Sequence, residues 1–250
     1  MTDTLHRPEP GAGNRSVTRA LEILELLATG DQAVRLAEIA KQLELPKSSA
    51  LSILRALVSR EFATVDDNGR YRLGVHCFEV GAAYLRGMSP VQAVEPELRS
   101  ITKMLGVTSH FAVLDGDEVV YLAKHDPPGT GLRLASSLGA RLPAASTAVG
   151  KAQLAFKSSL GAGRPAGANG SLAASVAADL ADVAAKGYAV DEGATASGIR
   201  CVAAPVFNAS GCCGAIGISY LQHPSPPIED TAAAVLEVAR RASARLGGHA

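Results

Sequence analysis

The chain has 250 residues, of which 24 are basic, 24 are acidic and 47% are apolar. This length fits one large domain or two modest ones, and the apolar fraction is too high for an intrinsically disordered chain. No run of about 18 apolar residues is present, so no membrane span is indicated. A net charge of zero argues mildly against nucleic-acid binding, and the local distribution of charge therefore matters more.

The first 13 residues lack an apolar stretch, which indicates a mobile tail rather than a secretory signal. The cysteines, Cys77, Cys201, Cys212 and Cys213, form no C-x-x-C pair. Such spacing fits neither a zinc site nor a disulfide framework. We therefore expect reduced thiols, a cytoplasmic location, and neither a metal nor a cofactor.

Three short helices are predicted in the first sixty residues. An apolar stripe at helical spacing starts at Val17, with Asn14 or Ser16 as its N-cap, and a shorter stripe covers residues 36–43. A third helix is predicted to begin at Pro46. Proline suits the first helical position, because the backbone N–H that it lacks would have no hydrogen-bond partner there.

The third helix is predicted to have an apolar face and a small, polar, basic face. Residues 47–60 contain three basic side chains and no acid. Short hydroxyl side chains let a helix approach a duplex closely, while Arg and Lys neutralise phosphates or read guanine edges. The residues expected to contact DNA from this helix are Lys47, Ser48, Ser49, Ser52 and Arg55.

After the third helix the apolar period changes to about two, and two β-prone runs flank an Asn-Gly pair, a strong hairpin signal. We expect Tyr71 and Leu73 to point inward, and Arg70 and Arg72 outward, with Arg70 contacting DNA. Helices followed by a basic hairpin predict a winged helix-turn-helix over residues 14–74. The alternative is a helical protein-binding or dimerisation domain with a solvated polar face.

The remaining sequence predicts a linker helix and a second domain. Residues 75–89 show helical spacing, and residues 90–250 mix helical segments with two further hairpin patterns. Helices packed on an antiparallel sheet are the expected architecture, which makes the fold class α+β.

Several blocks resemble IclR-type bacterial transcriptional regulators, in order and over residues 14–246. They are residues 16–28, 36–43, 45–49, 69–74, 150–152, 187–191 and 198–206. The resemblance implies a GAF-like effector-binding domain in the second half. It also implies binding to an operator in double-stranded DNA and to a small metabolite, often a carboxylate. Two positions depart from the family pattern, Ala145 in place of a His and Gly193 in place of an acid.

The resemblance also implies an effector pocket. Its residues are Ala148, Val149, Asp191, Cys201 and Ser219. A helix opening near residue 147 would offer free N–H groups to an anion. Simpler roles remain open, because Cys201 is compatible with a core position, Ser219 with a backbone contact and Asp191 with a turn cap.

The expected function is a homodimeric or homotetrameric DNA-binding regulator modulated by an effector. A repressor is the working hypothesis, although whether such a regulator represses or activates transcription depends on where the operator lies. No enzyme is expected, since the chain lacks a complete phosphate loop, nucleophile elbow or zinc-protease motif. There are two alternatives. One is a small-molecule sensor whose first domain binds another protein, and the other is an enzyme without a recognisable motif.

Overall fold

The structure, a computed structural model, describes residues 14–29, 32–129, 136–156, 170–222 and 226–248, without the side chains of residues 170–175. The predicted N-terminal tail lies outside the described residues. The chain divides into two compact units, one ending at Gly87 and the other starting at Met88.

The N-terminal unit is a helical core with a small antiparallel sheet. Its elements are α1 (Arg15–Ala28), β1 (Val34–Arg35), α2 (Leu36–Gln42), α3 (Lys47–Ser59), β2 (Ala63–Val65), β3 (Arg70–Leu73) and α4 (Val75–Arg86). The strand order is β1-β3-β2. Ile23, Ile39 and Leu54, one from each of the first three helices, are fully buried together. The predicted winged helix-turn-helix is therefore confirmed.

Some local details of this unit differ from the prediction. Pro46 is the N-cap of α3 rather than its first residue. Tyr71 packs against the helical core, but Leu73 is 36% exposed because β3 ends there and the chain turns into α4. Arg70, expected to point outward, is half-buried because β1, a strand that was not predicted, pairs with it through Arg35.

The C-terminal unit has a six-stranded antiparallel sheet with helices on both faces. Its elements are α5 (Ser89–Leu105), β4 (Thr108–Asp115), β5 (Glu118–His125), β6 (Arg141–Pro143), α6 (Ala148–Leu154), α7 (Gly170–Lys186), β7 (Ala189–Asp191), β8 (Ile199–Asn208), β9 (Gly211–Leu221) and α8 (Ile228–Arg245). The strand order is β6-β5-β4-β9-β8-β7. The predicted α+β class is confirmed.

The two faces of this sheet bury separate cores, because side chains alternate along each strand. Val202 and Ala204 of β8 belong to the core beneath α5 and α8. Ala203, the residue between them, belongs to the core beneath α6. Gly150 lets α6 come so close to the preceding loop that a Cβ there would overlap the backbone of Ala144. The face covered by α6 is the one that contains the cavity described below.

Candidate DNA-binding face and effector cavity

The polar face of α3 is exposed to solvent. Ala50, Leu54 and Leu57 are buried in the helical core, and the predicted contact residues are all exposed: Lys47, Ser48, Ser49, Ser52 and Arg55. The amphipathic pattern therefore leaves a small, polar, basic surface available to a partner instead of packing it against the unit's own interior.

The charges on this face are not neutralised within the described part of the chain. In that part, the side chains of Lys47 and Arg55 have no ion-pair or hydrogen-bond partner, whereas Arg19 of α1 pairs with Glu22 at 2.7 Å. Arg70 lies apart from α3 on the hairpin, where its backbone N–H donates to the Asp66 carboxylate at 2.9 Å. The two α3 cations are therefore free to bind phosphate or base edges.

A cavity of about 20 Å³ lies between α6 and the sheet of the C-terminal unit. The residues predicted to bind the effector, Ala148, Val149, Asp191, Cys201 and Ser219, all line it. The volume holds about one or two water molecules. A metabolite can therefore enter only if the lining moves apart.

Three of these residues lie side by side across neighbouring strands. Asp191 of β7 pairs with Cys201 of β8, which pairs with Ser219 of β9. The Cys201 thiol and the Ser219 hydroxyl are 3.1 Å apart. Asp191 also caps a turn, since its carboxylate accepts from the N–H groups of Ala194 at 2.7 Å and Thr195 at 3.3 Å.

The Cys201 thiol is protonated at neutral pH. Burial raises its pKa to about 11, although the contact with Ser219 opposes this change, and the Asp191 charge adds to the increase. A thiolate is the nucleophilic form of cysteine, so this environment does not suit nucleophilic catalysis.

The helix beside the cavity is short. It was expected to open near residue 147, and α6 covers Ala148–Leu154. Thr147 is the N-cap, and its hydroxyl accepts from the Gly150 N–H at 3.0 Å. One of the few free N–H groups at this end is therefore already used, and a helix of two turns offers an anion a weaker dipole than expected.

His110 and Tyr121 also line the cavity, and the sequence analysis did not identify them. His110 is fully buried, in edge-to-face contact with Tyr121 at a ring-centroid distance of 5.2 Å. Burial, with a smaller effect from Lys124, lowers the pKa of His110 to about 3, so the imidazole is neutral at physiological pH. In the sequence both residues merge into apolar strand patterns, which is why they were missed.

The charge of the cavity is simple. Asp191 is its one ionised group, since His110 is neutral and neither Lys nor Arg is among the described residues that line it. Burial raises the pKa of Tyr121, and the neighbouring Cys201 and Asp191 raise it further. The polar lining therefore consists mainly of neutral hydrogen-bonding groups.

Metal and membrane sites were also considered. Within the described ranges, no three His, Cys, Asp or Glu side chains are placed to hold a metal ion. In the same ranges no helix combines the length and apolar character needed to cross a bilayer.

Comparison with known proteins matches both units. The family model for the IclR helix-turn-helix domain matches residues 16–67, and that for the bacterial transcriptional regulator IclR C-terminal domain matches residues 82–162 and 171–244. The HTH-type transcriptional regulator BhcR of Paracoccus denitrificans is 30% identical, over 94% of this chain and 88% of that protein. The transcriptional repressor IclR of Escherichia coli is 31% identical, over 80% and 77%.

A solved structure has the same fold. It is an IclR homologue of Microbacterium hydrocarbonoxydans complexed with 4-hydroxybenzoate, with a TM-score of 0.78 over 92% of this chain and 98% of that chain. At 20% sequence identity, this similarity is evidence of the fold alone.

Proposed function

Because the chain belongs to the IclR family of bacterial transcriptional regulators, we propose that it is a sequence-specific repressor whose affinity for its operator changes when a small molecule binds its C-terminal unit. The observation that carries the proposal is the exposed, acid-free face of α3, opposite a buried apolar face. A cytoplasmic location and the absence of catalytic activity are part of the proposal. The protonated state of Cys201 supports the second of these.

Arg55 is the sharpest test of DNA contact. If its guanidinium reads a base, Arg55→Ala weakens operator binding by about 1–3 kcal/mol. Gel-shift titration on the operator measures this change. Arg99→Ala is the matched control, because Arg99 is also exposed but belongs to the C-terminal unit and pairs with Glu95 at 2.9 Å. Equal affinity of wild type and the Arg55 variant, with both folded, removes Arg55 from the interface.

The remaining predicted DNA contacts follow the same face. Lys47, Ser48, Ser49 and Ser52 surround the N-terminal half of α3, and we propose that they bind phosphates and base edges in the major groove while Arg70 binds the backbone from the hairpin. Substituting Lys47 is expected to weaken binding to specific and nonspecific DNA alike, since a phosphate contact carries no sequence information.

We propose that the cavity of the C-terminal unit is the effector site. The support is that the five residues expected to bind an effector, from distant parts of the chain, line one cavity. Carboxylates are the first class to test, because the family resemblance described in the sequence analysis implies a small metabolite that is often a carboxylate. An effector that prefers the folded state raises the melting temperature.

A cavity-filling variant tests this site. Cys201→Trp should abolish the stabilisation by a metabolite library while leaving DNA binding measurable, since Cys201 lies in the C-terminal unit and the proposed operator contacts lie in the N-terminal unit. Cys77→Trp is unsuitable as a control because the Cys77 thiol donates to the Phe62 carbonyl; Met104→Trp, at a 60% exposed residue, is a better one. Undiminished stabilisation in the Cys201 variant contradicts the assignment.

Self-association is the third part of the proposal. No residue of α4 is buried, although the helix carries Val75, Phe78 and Tyr84, each at least 60% exposed. Val17 and Leu21 of α1, in the same unit, are more than half exposed. Burying such apolar surface is favourable, and two copies of the chain would cover it while presenting two α3 helices to two half-sites.

Sedimentation equilibrium tests this part. Phe78→Asp is expected to shift the protein toward monomer and to weaken operator binding at low protein concentration. Met104→Asp serves as the control, because Met104 is a similarly exposed apolar residue in the other unit. An unchanged molar mass for the Phe78 variant excludes α4 as the interface.

A further inference from the structure

Two residues that line the proposed effector cavity each have a buried polar atom without a hydrogen-bond partner within the described structure. The atoms are Nδ1 of His110, on β4, and Oγ of Ser136, in the segment before β6. The two residues are 2% and 5% exposed. Buried polar side-chain atoms are nearly always paired, so two unpaired atoms in residues that line one cavity call for an explanation.

Most other polar groups of the cavity already have a hydrogen-bond partner, the Tyr121 hydroxyl being the exception among the described lining residues. Asp191 accepts two backbone hydrogen bonds, Thr147 caps α6, and the Cys201 thiol and Ser219 hydroxyl contact each other. Among the described lining residues, the polar atoms that are both buried and unpaired are therefore those of His110 and Ser136. A buried donor or acceptor left unpaired destabilises the folded state, and it persists where a bound molecule supplies the partner.

The charge around these two atoms defines the partner they need. His110 is neutral, Ser136 is uncharged, and Asp191 is the one ionised group of the described lining. A carboxylate placed against His110 and Ser136 would meet the negative charge of Asp191 without a neighbouring cation. A hydroxyl group both donates and accepts, so it matches a serine and either tautomer of a neutral imidazole. A carbonyl oxygen matches them as an acceptor.

We infer that the effector carries an uncharged hydroxyl or carbonyl oxygen that hydrogen-bonds to His110 and Ser136, and that these two residues select it over the analogue lacking that oxygen. This inference rests on the proposed effector site. It concerns the group of the effector that contacts His110 and Ser136, and another part of the same molecule can carry a carboxylate.

Matched pairs of small probes test the inference. The full-length protein is titrated with lactate and propionate, 3-hydroxybutyrate and butyrate, and 4-hydroxybenzoate and benzoate, and binding is measured by thermal shift and calorimetry. In at least one pair the hydroxylated compound should bind about tenfold more tightly, as expected for two hydrogen bonds that its partner cannot make. Equal binding within every pair, or no binding by any hydroxylated probe, overturns the inference.

Neighbouring serines provide the variant and its control. Ser136→Ala should remove the difference between the members of a pair, and Ser137→Ala should retain it, because Ser137 is exposed and does not line the cavity. If both variants keep the difference, Ser136 makes no contact and the inference is wrong. His110→Leu should also remove the difference, which extends the test to the second residue.

The free protein gives a readout that needs no ligand. Since the Ser136 hydroxyl has no partner without effector, Ser136→Ala should leave the melting temperature unchanged or raise it. A drop of more than about 3 °C, which corresponds to a lost favourable interaction in a chain of this size, would mean that the hydroxyl serves the fold. A probe without a hydroxyl or carbonyl oxygen that binds as tightly as its hydroxylated partner, and loses its stabilising effect in Cys201→Trp, would overturn the inference but retain the proposed effector site.

Discussion

His110 makes the stability of the C-terminal unit depend on pH. Its pKa is about 3 in the folded protein, below the ordinary 6.5. Between these values the unfolded chain binds a proton that the folded chain does not, so stability is full above pH 6.5 and falls as the pH decreases. Lowering the pH from 7 to 5 should cost about 2 kcal/mol from this residue.

Urea unfolding at the two pH values measures this effect. His110→Leu removes the titrating group and should flatten the dependence over this range, where most carboxylates are still ionised. His125, whose ring lies 2.9 Å from the Glu95 carboxylate, is the comparison, since His125→Leu leaves the buried imidazole in place. A His110 variant that loses as much stability as wild type between pH 7 and 5 contradicts the prediction.

Two helical glycines should respond oppositely to the same substitution. A Cβ at Gly150 would overlap the backbone of Ala144, whereas one at Gly81 would meet no atom within 4 Å. Gly150→Ala should therefore reduce the free energy of unfolding by about 1–3 kcal/mol, because α6 must move away from the loop. Gly81→Ala, on exposed α4, should raise it by about 0.5–1 kcal/mol. Chemical denaturation followed by circular dichroism measures both, and equal signs would contradict the packing described.

At the scale of elements, α5 and α8 are joined by a buried carboxylate. Glu97 is 3% exposed and accepts from Arg241 at 2.6 Å and from Arg245 at 2.8 Å. The arginine side chains are 39% and 47% exposed, so they reach solvent when the acid is removed. Glu97 cannot reach solvent when the arginines are removed, and the two kinds of substitution should therefore differ.

The double variant Arg241→Met with Arg245→Met should lose about 3 kcal/mol or more of unfolding free energy, since it leaves a buried charge without partners. Glu97→Gln should lose less. Arg240→Met, which removes an exposed cation paired with Glu237 on the same helix, should leave stability unchanged. Urea denaturation measures the free energy of unfolding of these three variants. A Glu97 variant less stable than the double variant would contradict the prediction.

Local signals explain which elements the sequence could predict. Helices α1 to α3 and the hairpin follow from apolar periodicity, Asn14 as an N-cap and an Asn-Gly turn, all of which act within a few residues. Helix α5 was not predicted, and it contains Pro90 and Pro96, a residue type that usually interrupts helices. Proline is tolerated in the first turn, and burial of Val94 and Leu98 in the core stabilises the helix in spite of Pro96.

The cavity was predictable only through resemblance. Asp191, Cys201 and Ser219 are adjacent because of strand register, which no local pattern in the sequence reveals. His110 could also be identified as a cavity residue only from the fold, because its position in an apolar run does not show that its ring is buried beside Tyr121. The exposed face of α3, by contrast, follows from its own helical period.

At the scale of the whole molecule, a net charge of zero means that overall charge does not attract the protein to DNA. Affinity must instead come from a few local cations, such as Lys47 and Arg55, which have no internal partner within the described residues. Each phosphate contact releases condensed counterions, so the logarithm of the binding constant should fall with the logarithm of salt by about 0.9 per contact.

The slope of operator binding against salt concentration therefore gives the number of phosphate contacts that this neutral protein makes. Lys47→Ala should reduce the slope between about 50 and 300 mM KCl by the amount that one phosphate contact contributes. It should weaken binding to nonspecific DNA to the same extent. Arg240→Ala should not change the slope, because Arg240 lies in the C-terminal unit and is already paired with Glu237. A slope near zero for wild type would mean that α3 does not lie against a phosphate backbone, and a slope equally reduced in both variants would place the contacts elsewhere on the molecule.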